Sequence, residues 1–135
     1  MKTYLLPVAR RILALGGVAL TLSCLCAAPA VAQDAVKADP KHYKVEFENA
    51  QVRVLRVNYG PHEKSVMHEH PGTVAIFLTD AQVRFGLPDG KSKDATAKAG
   101  STQWESGTKH LPENTGDKPF EVVLVELKGK APKAK

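Results

Sequence analysis

The chain is 135 residues long, with 19 Lys and Arg against 14 Asp and Glu and only two cysteines, which is enough for one modest domain and no more. The formal charge of +5 overstates the body of the protein, because Lys2, Arg10 and Arg11 precede or open an apolar N-terminal stretch and Lys128, Lys130, Lys133 and Lys135 close the chain. A near-neutral middle without a basic stripe excludes nucleic acid as a partner, and two cysteines confined to the first 26 residues exclude a disulfide scaffold in the rest.

Taken from the N-terminus, Ile12 to Ala32 carries no charge and ends in Ala30-Val31-Ala32. A basic start, an apolar run and small residues at the exit predict a signal peptide over residues 1–32, cut before Gln33. The mature protein is then expected in the periplasm or outside the cell, with no integral membrane segment. Three lesser alternatives are a twin-arginine signal on Arg10-Arg11, a lipoprotein signal at Cys24 and an uncleaved anchor. Cleavage removes Cys24 and Cys26, so any metal must be held by His, carboxylate, amide or water.

Residues 33–40 read as a short polar linker, 41–128 as the folded domain and 129–135 as a basic disordered tail. Within the domain the pattern has period two, not 3.6. Tyr43–Phe47, Gln51–Tyr59, Thr73–Thr79 and Phe120–Leu127 are rich in Val, Phe and Tyr and predict strands, and Lys91–Ala99 predicts an exposed one. In Gln51–Tyr59, Val52 and Val54 alternate with Arg53 before Leu55 and Arg56 interrupt the phase. Tyr59-Gly60-Pro61, Pro71-Gly72, Pro88-Asp89-Gly90 and Asn114-Thr115-Gly116-Asp117 supply turns. About eight short strands with close turns, and no amphipathic helix, predict an all-β barrel or sandwich.

The histidines carry the chemistry. His68 and His70 are two apart on a predicted strand, so alternation puts both imidazoles on one face. Imidazole is a ligand for zinc, copper, iron and nickel. His110 lies forty residues on, also beside strand-like sequence, and folding has to bring it opposite the pair. Glu69 should turn to the other face. His62 shares the parity of His68 and, with Glu105, is a candidate for proton transfer; His42, before the first strand, has no expected role. Arg53, Arg56 and Arg84 have two readings, an inward one meeting an anion and a solvent-facing one. Trp104 is expected in the core or a pocket wall, and Asn114 is expected to fix the turn at His110.

The segment from Gly60 to Asn114 resembles the two motifs of the cupin superfamily, and Tyr59 to Leu127 is similar to small exported cupins of unassigned activity. His68-Glu69-His70 matches the His-x-His of the first motif, and Gly107 to Asn114 reproduces the last eight positions of the second. The resemblance implies a small jelly-roll β-barrel and one divalent metal ion (Fe, Mn, Zn, Ni or Cu) on His68, His70 and His110. The chain departs from the pattern where cupins supply a metal-binding Glu, which falls at Val74, and where the second motif has Pro, which is Glu105 here. Cupins with three histidines include iron-dependent dioxygenases, so the resemblance implies a small-molecule metalloenzyme of dioxygenase or isomerase type acting on an anionic, chelating ligand. A non-catalytic module for sensing, storage or delivery is the alternative, with a homodimer possible in either case. Glu105 or water is the expected replacement for the missing carboxylate.

Overall fold

The computed structural model describes residues 33–129. The expected leader and most of the basic tail lie outside the described residues. The strands are β1 (Gln33–Asp34), β2 (Tyr43–Glu48), β3 (Val52–Tyr59), β4 (His68–His70), β5 (Thr73–Phe77), β6 (Ala81–Gly86), β7 (Ser92–Ala97), β8 (Thr102–Glu105), β9 (Thr108–Asn114) and β10 (Phe120–Leu127). One short helix, α1 (Ala35–Ala38), follows β1. Among the described residues no helix is long and apolar enough to cross a membrane.

Ten strands make two five-stranded sheets, in the orders β1-β4-β9-β6-β7 and β2-β3-β10-β5-β8. Every pairing is antiparallel except that of β1 with β4. Alternation sends one side chain in two to the interior. Leu55, Val57 and Tyr59 from β3 meet Ala75 and Phe77 from β5, Val83 from β6, and Phe120 and Val122 from β10. Residues from both sheets thus share one core, as a jelly roll requires. β2 is an edge strand with a register shift between Val45 and Phe47, and it leaves both of those side chains exposed. The turn after β6 closes at Gly90, whose φ of +80° suits glycine.

Two readings of the sequence need correction. Residues 33–40 are not a linker. Gln33 and Asp34 pair with His68 and Glu69, the Asp34 carboxylate caps α1 by accepting from the Val36 N–H at 3.1 Å, and Ala35 is fully buried. Polar composition concealed this because the segment is held by backbone pairing and capping rather than by an apolar face. The phase of β3 is also unbroken. Leu55, Val57 and Tyr59 are inward and Arg53 shares their parity, while Arg56 lies on the opposite face.

Candidate metal centre

β4 and β9 lie side by side in the first sheet, with His68 directly opposite His110 and His70 opposite Thr108. That register brings the two sequence-distant parts of the site together. Ring centroids are 4.9 Å apart for His68 and His70, 5.1 Å for His68 and His110, and 5.4 Å for His70 and His110. One ring nitrogen of each lies within 4.8 Å of the others, and all three residues are buried. Glu69, between two of them, faces outward near Lys109, as alternation requires.

The tautomers follow from the hydrogen bonds. His68 Nδ1 donates to the Val66 carbonyl at 2.8 Å. His70 Nδ1 donates to the Glu126 carboxylate at 2.6 Å. A neutral imidazole protonated at Nδ1 presents a bare lone pair at Nε2. Both Nε2 atoms are buried without a hydrogen-bond partner. Orphaned buried acceptors are costly and need an explanation, and a divalent ion is the partner that a set of imidazole nitrogens fits. Burial, reinforced by the nearby His70, pushes the His68 pKa down to about 4. Burial and the two neighbouring histidines push that of His110 down to about 3. Both rings are therefore neutral, as metal ligation requires.

His70 and His110 border a cavity of about 50 Å³ inside the barrel, walled by Tyr43, Phe77, Phe85, Phe120 and Leu124 among others. An outer groove of about 320 Å³, with Trp104, Gln103 and Lys93 in its wall, adjoins it. Phe85, Glu105 and His110 line both spaces and lie between them. Glu105, opposite Thr73 across the β5–β8 pairing, therefore reaches the site region.

Other expected positions change. Val74 is not where a carboxylate is missing: Thr73, Ala75 and Phe77 line the cavity, and Val74 is on the opposite face of β5. The inward position is Ala75, one residue further along. His62 is exposed at a turn with φ of 58°, bonded through Nε2 to Asp117 at 3.0 Å, and lines neither the cavity nor the groove. Alternation from His68 fails to place it because the turn and loop of residues 61–67 break the strand. Trp104 is 54% exposed and belongs to the groove wall, not the core, with its indole over Gly72. Asn114 does not fix His110, which sits within β9. Its Nδ2 donates to the carbonyls of Gly60 and Lys118 at the other end of that strand. Arg56 and Arg84 make ion pairs on the outer surfaces with Glu46 and Asp94, while Arg53 turns inward to Glu126.

Sequence reasoning missed two clusters behind the histidines. In one, Glu126 holds His70, and Arg53 joins Glu126 to Asp34. Burial pushes the Glu126 carboxyl up, but the bonds from His70 and Arg53 outweigh it and hold the pKa below its ordinary value. In the other, His42 is buried and stacked on Tyr59 at 4.2 Å. Its Nδ1 donates to Asp39 at 2.6 Å, and its Nε2 is 3.1 Å from Glu63. Ser65 donates to the same Asp39 oxygen at 2.5 Å and lies 3.4 Å from His68 Nδ1. His42 is thus structural rather than idle.

No family model matches the sequence, and no curated protein matches it. Solved structures do. A cupin domain from Bordetella pertussis superposes with a TM-score of 0.60 at 24% identity, over 64% of this chain and 92% of that one. A conserved protein with a double-stranded β-helix domain from Klebsiella pneumoniae gives 0.53 at 22% identity, over 67% and 78%. An RmlC-like cupin from Methanocaldococcus jannaschii gives 0.52 at 14% identity, over 63% and 77%. Together with the two five-stranded sheets, these likenesses establish that the chain has the cupin fold.

Proposed function

We propose that this protein is an exported metalloprotein that binds one divalent ion through His68, His70 and His110 and uses it on a small ligand entering from the outer groove. The observation that carries the reading is the pair of buried, unpartnered Nε2 atoms on His68 and His70, facing the same space as His110. A divalent ion on three neutral imidazoles supplies a Lewis acid and, if it is iron, a redox centre. The chain's own residues do the rest. Tyr43, Phe77, Phe85 and Phe120 keep the inner space apolar, which strengthens electrostatic interactions there. Glu105 stands with His110 between the groove and the cavity and is the group to take or give a proton. Lys93 adds positive charge at the groove, consistent with an anionic, chelating ligand. Iron is favoured for dioxygenase chemistry; Mn, Zn, Ni and Cu fit the same donors.

The inner cavity, at about 50 Å³, is far below the size of an ordinary small-molecule pocket. That favours a second reading, a non-catalytic module that holds metal for sensing, storage or delivery. A homodimer through the β2 edge, where Val45 and Phe47 are exposed, belongs to either reading, and sedimentation of wild type against Phe47→Lys tests it.

The deciding experiment measures metal in untagged wild type beside His68→Ala/His110→Ala, both after anaerobic iron loading and after zinc loading. About one equivalent in wild type and none in the variant is expected; equal, negligible metal in both sinks both readings. Oxygen uptake with thiols, β-diketones and catechols then separates enzyme from module, and Glu105→Gln should slow turnover without changing metal content.

A further inference from the structure

A buried charge cluster stands behind one of the three histidines. Glu126 is 1% exposed and both of its oxygens are committed, Oε1 to His70 Nδ1 at 2.6 Å and Oε2 to Arg53 Nε at 2.5 Å. Arg53 is bonded in turn to Asp34 at the start of the described chain. The placement follows from register. Glu126 lies opposite Arg53 on β3 and opposite Thr73 on β5, on the inward face that Val122 and Leu124 also occupy.

Packing does not account for a carboxylate there. Burying a charge is expensive even when it is paired, and an apolar residue in its place often costs nothing. The three histidines are also supported unequally. His68 leans on the neutral Val66 carbonyl and His110 stacks on Phe85 at 4.9 Å, but His70 has an anion at its back. Arg53 contributes one positive charge and Glu126 and Asp34 one negative each, so the cluster behind His70 is net negative.

We propose that Glu126 is a positioning residue of the metal site, fixing His70 with Nε2 towards the ion and strengthening that nitrogen as a donor through the negative charge behind the ring. A carboxylate bonded to the far nitrogen of a ligating imidazole locks its tautomer and raises its basicity. The charge that the cupin pattern places on a metal-binding Glu is then delivered from β10, through an imidazole, while Ala75 leaves the inward position on β5 small. This inference rests on the metal reading above.

The test is competition for Zn²⁺ against a chromophoric chelator at pH 7, with wild type, Glu126→Gln and Asp39→Asn. The glutamine keeps an acceptor for His70 and removes the charge. Asp39→Asn disturbs a buried polar cluster of similar standing that makes no hydrogen bond to His70. Glu126→Gln should bind zinc about 10- to 100-fold more weakly, and Asp39→Asn within threefold of wild type. Equal affinity in wild type and Glu126→Gln, or equal losses in both variants, would overturn the proposal. If wild type itself binds no zinc, the metal reading has failed first, so the two failures are distinguishable. Should Glu126→Gln not fold, long-range ¹H–¹⁵N correlations on zinc-loaded wild type decide instead. A proton on His70 Nδ1 with the ion on Nε2 supports the proposal, and an ion on Nδ1 overturns it.

Discussion

The two polar clusters behind the histidines use similar residues for different ends. On one side Asp34, Arg53 and Glu126 finish in a 2.6 Å bond to His70, where the carboxylate is the anchor of the ring. On the other, Glu63, His42, Asp39 and Ser65 finish 3.4 Å from His68, whose ring is already anchored by the Val66 carbonyl. The first cluster ends on Nδ1 of His70, whose Nε2 has no partner; the second ties together the loop before β2 and the loop before β4. Burial alone therefore does not mark a residue as part of a site. What distinguishes Glu126 is that it is the principal partner of a ring whose other nitrogen has none.

The contrast breaks most visibly at Glu126. Glu126→Ala leaves Arg53 and the His70 Nδ1–H without their buried partner, and metal-free protein should lose about 3–5 kcal/mol in denaturant melts. A loss below about 1 kcal/mol would mean that the cluster relaxes into solvent. The next effect is set by pH. The folded-state pKa values of His68 and His110, about 4 and about 3, lie below the ordinary 6.5, so these rings stay neutral where the unfolded chain takes up protons. Stability of the metal-free protein is then full above pH 6.5 and falls as pH drops from there towards 3, by about 3 kcal/mol for each ring by pH 4. His68→Ala/His110→Ala should flatten that part of the profile.

Asp39→Asn comes third. It weakens two charge-assisted bonds, from His42 and Ser65, and should cost about 2 kcal/mol with little change in zinc affinity. A tenfold loss of affinity there would erase the distinction between the clusters. The smallest effect is Ser65→Ala, about 1 kcal/mol by thermal unfolding, because the Val66 carbonyl continues to hold His68.

The histidine set was legible in the sequence because it depends on local rules. Two residues apart on a strand means one face, and the second motif places His110 on a neighbouring segment. Glu126 was not read, although its signal was present. Phe120, Val122 and Leu124 set the inward parity of β10, and Glu126 continues it. Leu55, Val57 and Tyr59 set that of β3, and Arg53 continues it. Opposite charges on the apolar parity of two strands indicate a buried pair, provided the strands are neighbours, and that pairing is a long-range fact. The Asp39, His42 and Ser65 cluster had no such signal, because its members sit in loops or beside strand ends, where parity has no meaning. Val74 follows from motif spacing alone, whereas only the pleat of β5 shows that Ala75 faces inward.

Gln33 and Asp34 are in register with His68 and Glu69, and Asp34 also grips Arg53. A peptidase cutting ahead of Gln33, at the position expected from the sequence, would need that same stretch of backbone extended in its own cleft. The two claims exclude each other. If the chain is cut there, the cut has to come before Gln33 and Asp34 take their places beside His68 and Glu69.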